Sequence, residues 1–460
     1  MAADARQAPA LFDPGAYRRF RFLDRELDAR GTVTLSYGLD EEIVFVERFG
    51  VPLMRRPEAG LDAGERRRVE GLVALLHWVA GVSYFKTALP AEVGCETGAP
   101  PPATAALLEA LYSEGLGELA YVNRLDSLPR PCFPRASGGA PWAREAEPLG
   151  RVLVPVGGGK DSVVALEIAR RASPELALFS VGNAAPIART VAASGLSRLL
   201  ATRTLDPGLG ALNAAGAING HVPVTAIVSC VALLTAALNG FDQVAMANER
   251  SASAGNVSFD GVVVNHQFSK GLRAERLLGA ALEELAPGMR CYSILRPASE
   301  LAVARAFARL ERYHGAFTSC NAVFRSDPEL RASSWCCDCP KCRFVFLALA
   351  PFSEPAHLRA VFGRDLLDEP GQFEGFALLT ATGGHKPFEC VGEEQESIAA
   401  IRLLADDPRW SSHGVVARLA REVLPRFPAE VGDPARVLAL SDEHELPAAI
   451  MNEVRALLAA

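Results

Sequence analysis

A run of glycines followed by charged residues is the clearest chemical feature of this sequence. The segment 151–171, RVLVPVGGGKDSVVALEIARR, reads as a hydrophobic strand, three glycines and the charged start of a helix. Glycine lets a ligand approach the backbone closely, and the amides and dipole at a helix N-terminus attract anions. The segment therefore predicts a phosphate site made by Gly157, Gly158, Gly159, Lys160, Asp161 and Ser162.

The spacing of these residues separates this loop from two common nucleotide-binding loops. The P-loop of nucleotide triphosphatases needs Ser or Thr directly after its lysine, but Asp161 follows Lys160. The dinucleotide fingerprint G-x-G-x-x-G would need glycine where Ser162 stands. The pattern that fits is S-G-G-x-D-S, with Gly157 in place of the first serine. The loop thus resembles that of the ATP pyrophosphatase, or PP-loop, superfamily.

Members of that superfamily cleave ATP between the α and β phosphates and leave adenylate on a substrate oxygen. The resemblance implies that the amides and hydroxyl of residues 158–162 hold the departing pyrophosphate. It also implies that Asp161 helps to hold Mg²⁺ and that Lys160 offsets phosphate charge. Glycine at position 157 removes one hydroxyl donor but leaves the amide cradle. The alternative is a glycine-rich turn without a catalytic role, which the agreement of strand, loop and helix disfavours.

A cluster of cysteines predicts a metal centre. The segment TSCNAVFRSDPELRASSWCCDCPKCRF holds five of the ten cysteines in the chain. Four thiolates can close a tetrahedral zinc site, for which the spacing selects Cys320, Cys336, Cys339 and Cys342. Cys337 is then spare, or it replaces Cys336. With its trailing Arg343 the cluster is similar to the zinc knuckle of 7-cyano-7-deazaguanine synthase, a PP-loop enzyme, which implies a structural zinc near the ATP site. An iron–sulfur cluster and unligated buried cysteines are the alternatives.

Three further stretches place polar residues in otherwise hydrophobic sequence: HWVAGVSYFKTALP, ANERSASAGNVSFDGVVVNHQFSKG and GGHKPFECVGEEQES. Loops that follow the strands of an open α/β sheet form its ligand crevice. The candidates for proton transfer are Cys390, Lys270, His266, His385 and Glu249. The candidates for substrate binding are Arg250, Asn265, Lys86 and Lys386. Taken singly, each is more often a structural group, and their density is what singles them out.

The elements that position these residues are predicted to form an α/β protein in four parts. Residues 1–126 read as an α+β domain that starts with an antiparallel meander. Residues 127–150 form a linker rich in proline and glycine. Strands and helices alternate over residues 151–317, which predicts a mainly parallel sheet of the PP-loop ATP pyrophosphatase (adenine nucleotide α-hydrolase-like) type. Residues 318–460 hold the cysteine cluster and a mostly helical region.

Composition limits the function classes. The chain has 460 residues, 47 Lys and Arg against 54 Asp and Glu, and a net charge of -7, which argues against nucleic acid or anionic membrane as a partner. The uncharged stretch 222–240 is interrupted by polar residues and proline, so we expect a buried helix and no membrane insertion. Ten cysteines without a signal peptide predict reduced thiols and a cytoplasmic location.

The polar stretches, the glycine loop and the cysteine cluster together, in this order along most of the chain, resemble the MurL family of peptidoglycan synthesis. That family inverts a terminal L-glutamate of a UDP-N-acetylmuramoyl dipeptide with ATP and Mg²⁺. The resemblance implies the UDP-sugar dipeptide as substrate and ATP, Mg²⁺ and a structural zinc as cofactors. It also suggests that ATP adenylates the α-carboxylate, because a free carboxylate leaves the neighbouring proton very weakly acidic.

Two other functions stay open. The chain could be a different PP-loop enzyme that adenylates a carboxylate or a base and then transfers ammonia or sulfur, as the likeness to the deazaguanine synthase suggests. It could also be a nucleotide sensor without catalysis, which the intact loop with Asp161 disfavours. The sequence leaves the oligomeric state, the proton-transfer groups and the domain that binds UDP undetermined.

Overall fold

A computed structural model describes residues 11–54, 61–137, 150–324, 331–382, 388–389 and 391–459. Its central element is a nine-stranded mixed sheet with the strand order β11-β8-β5-β6-β7-β3-β2-β1-β4. The remaining strands, β9 and β10, form a separate hairpin. The strands are β1 (Arg19–Leu27), β2 (Thr32–Leu39), β3 (Ile43–Gly50), β4 (Glu92–Cys95), β5 (Val152–Pro155), β6 (Leu176–Val181), β7 (Arg198–Thr204), β8 (Gln243–Met246), β9 (Val257–Phe259), β10 (Val262–Val264) and β11 (Arg290–Ser293).

Helices cover both faces of this sheet. The helices of the first two thirds of the chain are α1 (Ala63–Ala80), α2 (Val82–Phe85), α3 (Pro102–Ser113), α4 (Gly117–Val122), α5 (Lys160–Ala172), α6 (Ala185–Ser194), α7 (Gly208–Ala214), α8 (Val224–Leu238), α9 (Leu272–Leu285) and α10 (Glu300–Ala308). The C-terminal helices are α11 (Pro340–Leu349), α12 (Pro355–Phe362), α13 (Phe373–Leu378), α14 (Glu394–Asp406), α15 (Gly414–Glu422), α16 (Pro434–Leu438) and α17 (Ala448–Leu458). The predicted α/β class with a helical C-terminal region is confirmed.

Five parallel strands form one half of the sheet. Numbered in chain order, β5, β6, β7, β8 and β11 take the spatial order 3-2-1-4-5, so the order reverses between β5 and β8. Residues of β5 alternate between two hydrophobic cores, with Val152 and Val154 in one and Leu153 in the other. A sheet buried on both faces explains why these strands read as continuous apolar runs.

The predicted meander forms the other half, because β1, β2 and β3 pair antiparallel. β3 then pairs antiparallel with β7, so the meander and the parallel strands share one sheet. The junction is close: a Cβ on Gly50 would lie 2.6 Å from Thr202 Oγ1. The predicted domain boundaries at residues 126, 150 and 317 are not tested by this continuity and stay a prediction.

The long uncharged stretch forms α8, a 15-residue helix that is mostly buried and packs on α1. This confirms the expected buried helix. Within the described residues, no helix combines the length and the apolar character needed to cross a membrane. On the opposite face of the sheet, α10 and α17 pack on α5, and α11 packs on α10. The C-terminal region is therefore attached directly to the helix that follows the glycine loop.

Candidate functional site

The glycine loop opens on a cleft of about 400 Å³ at the carboxyl ends of the parallel strands. Residues at the carboxyl ends of β5, β6 and β8 line it, and so do residues of the loop, of α8 and of the cysteine region. β5 and β8 are neighbours at the point where the strand order reverses. Ligands of open α/β sheets bind at this topological switch point. The cleft is therefore where the fold itself favours a ligand.

The space around each of the three loop glycines differs. Gly158 has φ +82°, and a Cβ there would lie 2.7 Å from the carbonyl carbon of Pro186, so the turn excludes a side chain. A Cβ on Gly159 would lie 2.6 Å from Ser319 Oγ. A Cβ on Gly157 would meet nothing within 4 Å, and Gly157 lines the cleft. The space above Gly157 is therefore open to a ligand, and the N-terminus of α5 faces the same cleft through Asp161 and Ser162.

Beneath the loop, one ammonium group lies between two carboxylates. Lys160 is 1% exposed, and its Nζ forms ion pairs with Asp161 and Glu300. Burial alone would lower the pKa of Lys160, but the two carboxylates raise it well above its ordinary value. Burial would raise the pKa of Asp161, whereas the charge of Lys160 brings it below its usual range. Burial and then the charge of Asp161 raise the pKa of Glu300, because two carboxylates share one ammonium.

The segment before the cysteine cluster braces the loop. The Thr318 amide donates to the Gly158 carbonyl at 2.9 Å. Thr318, Ser319 and Asn321 line the cleft, and so does Lys341 from the first turn of α11. The positive charge of Lys341 acts on both Asp161 and Glu300. The cysteine region therefore supplies one wall of the cleft and a cation within it.

The cysteine cluster has the geometry of a tetrahedral metal centre. The sulfur atoms of Cys320, Cys336, Cys339 and Cys342 all lie within 4.8 Å of one another. The Sγ atom of Cys342 is 3.5 Å from that of Cys339 and 3.8 Å from that of Cys336. Hydrogen bonds from the thiols of Cys339 and Cys342 lower the pKa of Cys320, and the same bonds to Cys320 raise the pKa of Cys339 and Cys342.

Cys337 is turned away from this cluster. Its backbone has φ +62°, and its buried Sγ lies 3.3 Å from the Phe362 carbonyl oxygen. Burial raises the pKa of the Cys337 thiol to about 11. The structure thus selects Cys336 rather than Cys337 as the fourth cysteine of the cluster, a choice that the sequence spacing left open.

Two of the predicted proton-transfer residues lie near the cleft. Lys270 lines it, and its Nζ donates to Gln267 Oε1 at 3.0 Å. Glu249 is buried three residues after β8, and its carbonyl oxygen accepts a 2.8 Å hydrogen bond from Arg296. Both residues follow β8 in the chain and lie at the carboxyl end of the sheet.

Comparison with known proteins places the chain in a family. The family model described as MurL N-terminal domain matches residues 11–294, and the one described as MurL C-terminal domain matches residues 316–431. The chain belongs to the MurL family. It is 41% identical over 449 residues to the UDP-N-acetyl-alpha-D-muramoyl-L-alanyl-L-glutamate epimerase of Xanthomonas oryzae pv. oryzae (strain MAFF 311018), which covers 97% of this chain and 99% of that relative.

Two further relatives carry the same name. The protein of Micromonospora sp. (strain ATCC 39149 / NRRL 15099 / SCC 1413) is 44% identical over 439 residues, or 93% of this chain and 96% of the relative. That of Salinispora tropica (strain ATCC BAA-916 / DSM 44818 / JCM 13857 / NBRC 105044 / CNB-440) is 46% identical over 397 residues, or 83% of each. The MurL resemblance that the sequence blocks indicated is confirmed.

In this MurL-family chain, several residues predicted to contact phosphate or substrate have hydrogen-bond or ion-pair partners within the protein. Lys160 lies beneath the loop and bonds carboxylates, and the Ser162 hydroxyl donates to the Gly159 carbonyl at 2.9 Å. Arg250 donates to the carbonyls of Val437 and Ala439 at 3.2 and 3.1 Å, in a different pocket. Arg250 thus helps to fasten the C-terminal region, and its predicted role in substrate binding stays a prediction.

Asn265 and Lys86 are also held by neighbours. Asn265 Nδ2 donates to the Ala252 carbonyl at 2.8 Å, and its Oδ1 accepts the Gln267 amide at 2.7 Å, which is a turn-forming role. Lys86 is buried, donates to Asn219 Oδ1 at 2.8 Å, and has a pKa lowered by burial to about 8. The predicted residues His385, Lys386 and Cys390 lie outside the described residues.

The MurL fold also brings residues to the site that the sequence interpretation missed. Glu300 is the first residue of α10. Lys341 lies inside the CPKC run, whose pattern indicates the cysteines as functional and not the lysine. Glu118 and His221 join the predicted His266 in one cluster. Glu300 is a charged residue at the start of an apolar helix, which is a signal that the sequence carries. Its pairing with Lys160, 140 positions earlier, is visible only in the structure.

Proposed function

We propose that this chain is an ATP-dependent epimerase that converts the terminal L-glutamate of UDP-N-acetylmuramoyl-L-alanyl-L-glutamate to D-glutamate, in the synthesis of peptidoglycan precursors. The observation that carries the proposal is the similarity to three epimerases of that name, two of which cover more than nine tenths of this chain. The substrate named for those relatives also suits a switch-point cleft with cations at its wall, since it carries several anionic groups.

The role of ATP follows from the acidity of the Cα proton. Removing that proton beside a free carboxylate creates a dianion, whereas an acyl-adenylate carbonyl can accept the electron pair. In the proposed sequence, an oxygen of the glutamate α-carboxylate attacks the α-phosphate, and pyrophosphate leaves. After the proton has been removed and returned on the opposite face, water attacks the acyl carbon and AMP leaves. The sum is ATP and water to AMP and pyrophosphate, with the carboxylate restored.

The residues of the loop fit a nucleotide polyphosphate with its cation. Open space above Gly157 and the amides at the start of α5 suit phosphate oxygens. Asp161 keeps its negative charge at the cleft surface because the charge of Lys160 lowers its pKa, which suits a divalent cation with oxygen ligands. Asp161, at the cleft surface, would hold Mg²⁺, and Lys341 would offset phosphate charge in the place first expected for Lys160.

The cysteine cluster fits a structural zinc ion. Four thiolates at 2.3 Å from zinc in tetrahedral geometry are about 3.8 Å apart. The separations of 3.5 and 3.8 Å in the cluster agree with that distance. The ion would fix the segment that carries Ser319, Asn321 and Lys341, and so would hold one wall of the nucleotide cleft.

The experiment that tests this function uses purified protein in deuterated water with ATP, Mg²⁺ and the UDP-sugar dipeptide. We expect deuterium at the glutamate Cα of a D-configured product, together with AMP and pyrophosphate. Two substrate analogues serve as matched controls: one has the α-carboxylate converted to an amide, and the other has the γ-carboxylate converted to an amide. The α-amide should give neither deuterium exchange nor AMP, whereas the γ-amide keeps the group that reacts.

Two outcomes would overturn the proposal. Deuterium exchange at Cα without ATP would show that no adenylation is needed. Pyrophosphate release only with a different acceptor, such as a base or an ammonia-dependent substrate, would favour the alternative PP-loop ligase.

A further inference from the structure

Three residues from distant parts of the chain form an imidazole cluster beside the cleft, made of Glu118, His221 and His266. The Nδ1 atom of His266 contacts Glu118 Oε2, and the Nδ1 atom of His221 lies 3.9 Å from the same oxygen. The centroids of the two imidazole rings are 4.4 Å apart. Neither Glu118 nor His221 has a role in the nucleotide loop or the cysteine cluster, so the cluster calls for a function of its own.

The cluster is held in place by its backbone surroundings. Glu118 is in the first turn of α4, where a Cβ on Gly117 would lie 3.0 Å from Val264 Cγ1 of β10. Glycine at 117 therefore lets α4 approach the hairpin closely enough for Glu118 to reach His266. The His266 amide donates to Asn256 Oδ1 at 2.9 Å, which fixes the other end of the pair.

Lys270 connects this cluster to the cleft. Lys270 lines the cleft, and its positive charge acts on both Asp161 at the glycine loop and His221 in the cluster. Val224 and Thr225, which follow His221 closely in the chain, line the same cleft. A substrate whose carboxylate is activated at the loop would therefore extend past Lys270 toward the imidazole cluster.

The contacts define how the imidazoles can act. In the tautomer in which His266 Nδ1 donates a hydrogen bond to the Glu118 carboxylate, Nε2 is the nitrogen that can take a proton. Burial and the nearby His266 lower the pKa of His221 to about 4, so His221 is neutral. The side chain of His221 is 28% exposed and that of His266 is 12% exposed, so His221 is the member nearer to water.

The geometry favours proton transfer over metal binding. In the cysteine cluster the sulfur atoms stand apart at 3.5 and 3.8 Å, as ligands around a shared ion do. In the imidazole cluster, Glu118 and His266 form a hydrogen bond with each other, whereas the ligands of a metal ion bond the ion. The pair has instead the arrangement by which a carboxylate orients an imidazole base.

We propose that His266 exchanges the Cα proton of the substrate glutamate, that Glu118 is its positioning residue, and that His221 relays the proton to water. This inference rests on the proposed function. When the proton is removed, the Cα–H bond breaks, its electron pair enters the adenylate carbonyl, and the proton moves to His266 Nε2. Inversion needs a proton on the opposite face, which the Lys270 ammonium donates to Cα as the electron pair returns from the carbonyl. His266 then passes the removed proton through His221 to water, and Lys270 takes a proton from water.

The test measures adenylation and proton exchange separately in deuterated water. The variants are His266→Gln, His221→Gln and Glu118→Gln, with AMP formation and Cα deuterium followed in the same samples. We expect His266→Gln to reduce D-product formation about 10²–10⁴-fold while AMP formation and substrate KM are kept. Glu118→Gln should reduce kcat with little change in KM, and Glu118→Asp should restore part of it. Circular dichroism and thermal melting identify any variant that fails to fold.

His357→Gln is the matched control. His357 belongs to another imidazole pair, with its Nε2 2.6 Å from His314 Nδ1, in a pocket that does not contain the cluster. This variant should keep both adenylation and proton exchange.

Other outcomes have separate meanings. If the wild-type protein forms no AMP, the proposed function fails before the inference is tested. If the wild type forms AMP and D-product and folded His266→Gln does so at the same rate, the inference alone fails. It also fails if metal analysis finds a second ion that is lost in Glu118→Gln and His266→Gln while the cysteine-bound zinc is kept, since the cluster would then be a metal site.

Discussion

The glycine loop and the imidazole cluster are assembled in opposite ways. At the loop end, six consecutive residues form the turn, and charges meet beneath it, with Lys160 between Asp161 and Glu300. At the imidazole end, single residues from three distant segments meet, and the charges of Glu118 and Lys270 act on His221. One end therefore suits a highly charged ligand, and the other suits neutral groups that exchange a proton.

This difference teaches that activation and inversion need not share residues. Phosphate and a divalent cation demand fixed charges, whereas a proton carrier must have a neutral form at working pH. Variants at one end should therefore leave the step at the other end measurable. The following changes test that separation, beginning with the one of largest expected effect.

Variants at the glycine loop should be defective in the nucleotide step. We expect Asp161→Asn to reduce AMP and pyrophosphate formation by about 10²–10³-fold, because a charge that offsets the cation and phosphates is lost. The measurement is pyrophosphate release under saturating substrate. Asp442→Asn, at an exposed position, is the control. A folded Asp161→Asn protein with normal pyrophosphate release would remove Asp161 from the nucleotide site.

The wall of the loop end should depend on one of two adjacent cysteines. Cys336→Ser removes a zinc ligand. Loss of an outer-shell partner alone weakens metal binding by about 10–100-fold, so we expect at least that loss of zinc affinity here. AMP formation should fall with it. Cys337→Ser should keep the zinc, since the Cys337 thiol contacts Phe362 instead. Metal content per chain, measured by mass spectrometry, decides between them. Equal zinc loss in both variants would contradict the selection of Cys336.

The turn itself should tolerate a side chain at one glycine and not at its neighbour. Gly158→Ala places a Cβ against the backbone of Pro186 at a positive φ, so we expect unfolding to become easier by about 1–3 kcal/mol. Gly157→Ala meets open space and should stay within about 0.5 kcal/mol of the wild type. Urea unfolding of both variants checks this pair. Equal stability of the two would mean that the turn adopts another shape.

The imidazole cluster should make the free energy of unfolding depend on pH below neutrality. The pKa of His221 is lowered to about 4 from an ordinary value of about 6.5, so the unfolded chain binds more protons between these values. Stability from this residue is therefore lost as pH falls from 6.5 to 4. With allowance for partial exposure we expect about 1–2 kcal/mol, with Glu118, His266 and Lys270 as its charged or titratable neighbours.

His221→Asn should lose correspondingly less stability over that pH range. Urea unfolding at several pH values measures the difference. If the two proteins lose the same stability, His221 is protonated in the folded state, and the relay role would lose its support.

Sequence patterns predicted the features that depend on residues close together in the chain. Continuous apolar runs and turn residues indicated β1, β2, β3, β5, β6, β7 and β8, and the spacing of the cysteines indicated the cluster. The pairing of β3 with β7 was missed, because about 150 residues separate these strands and their own pattern fits either an edge or an interior position.

The candidate site divides in the same way. The loop residues 157–162 are contiguous and carry a recognisable pattern, and four of them, Gly157, Gly159, Asp161 and Ser162, line the cleft. Glu118 and His221 are single polar residues in unremarkable segments, and only the approach of α4 to β10 brings them to His266. Arg250 lies after β8, where a ligand group is expected, and its partners in the structure are backbone carbonyls, so its predicted role in substrate binding stays a prediction.

The most direct test of the account follows an oxygen atom. The UDP-sugar dipeptide would be prepared with ¹⁸O in the glutamate α-carboxylate and turned over in unlabelled water with ATP and Mg²⁺. If the glutamate is inverted as an acyl-adenylate, the bridging oxygen leaves with the nucleotide, and AMP carries one ¹⁸O for each D-glutamate product formed. Unlabelled AMP beside D-glutamate product would contradict the account, because ATP cleavage and inversion would then not share an intermediate.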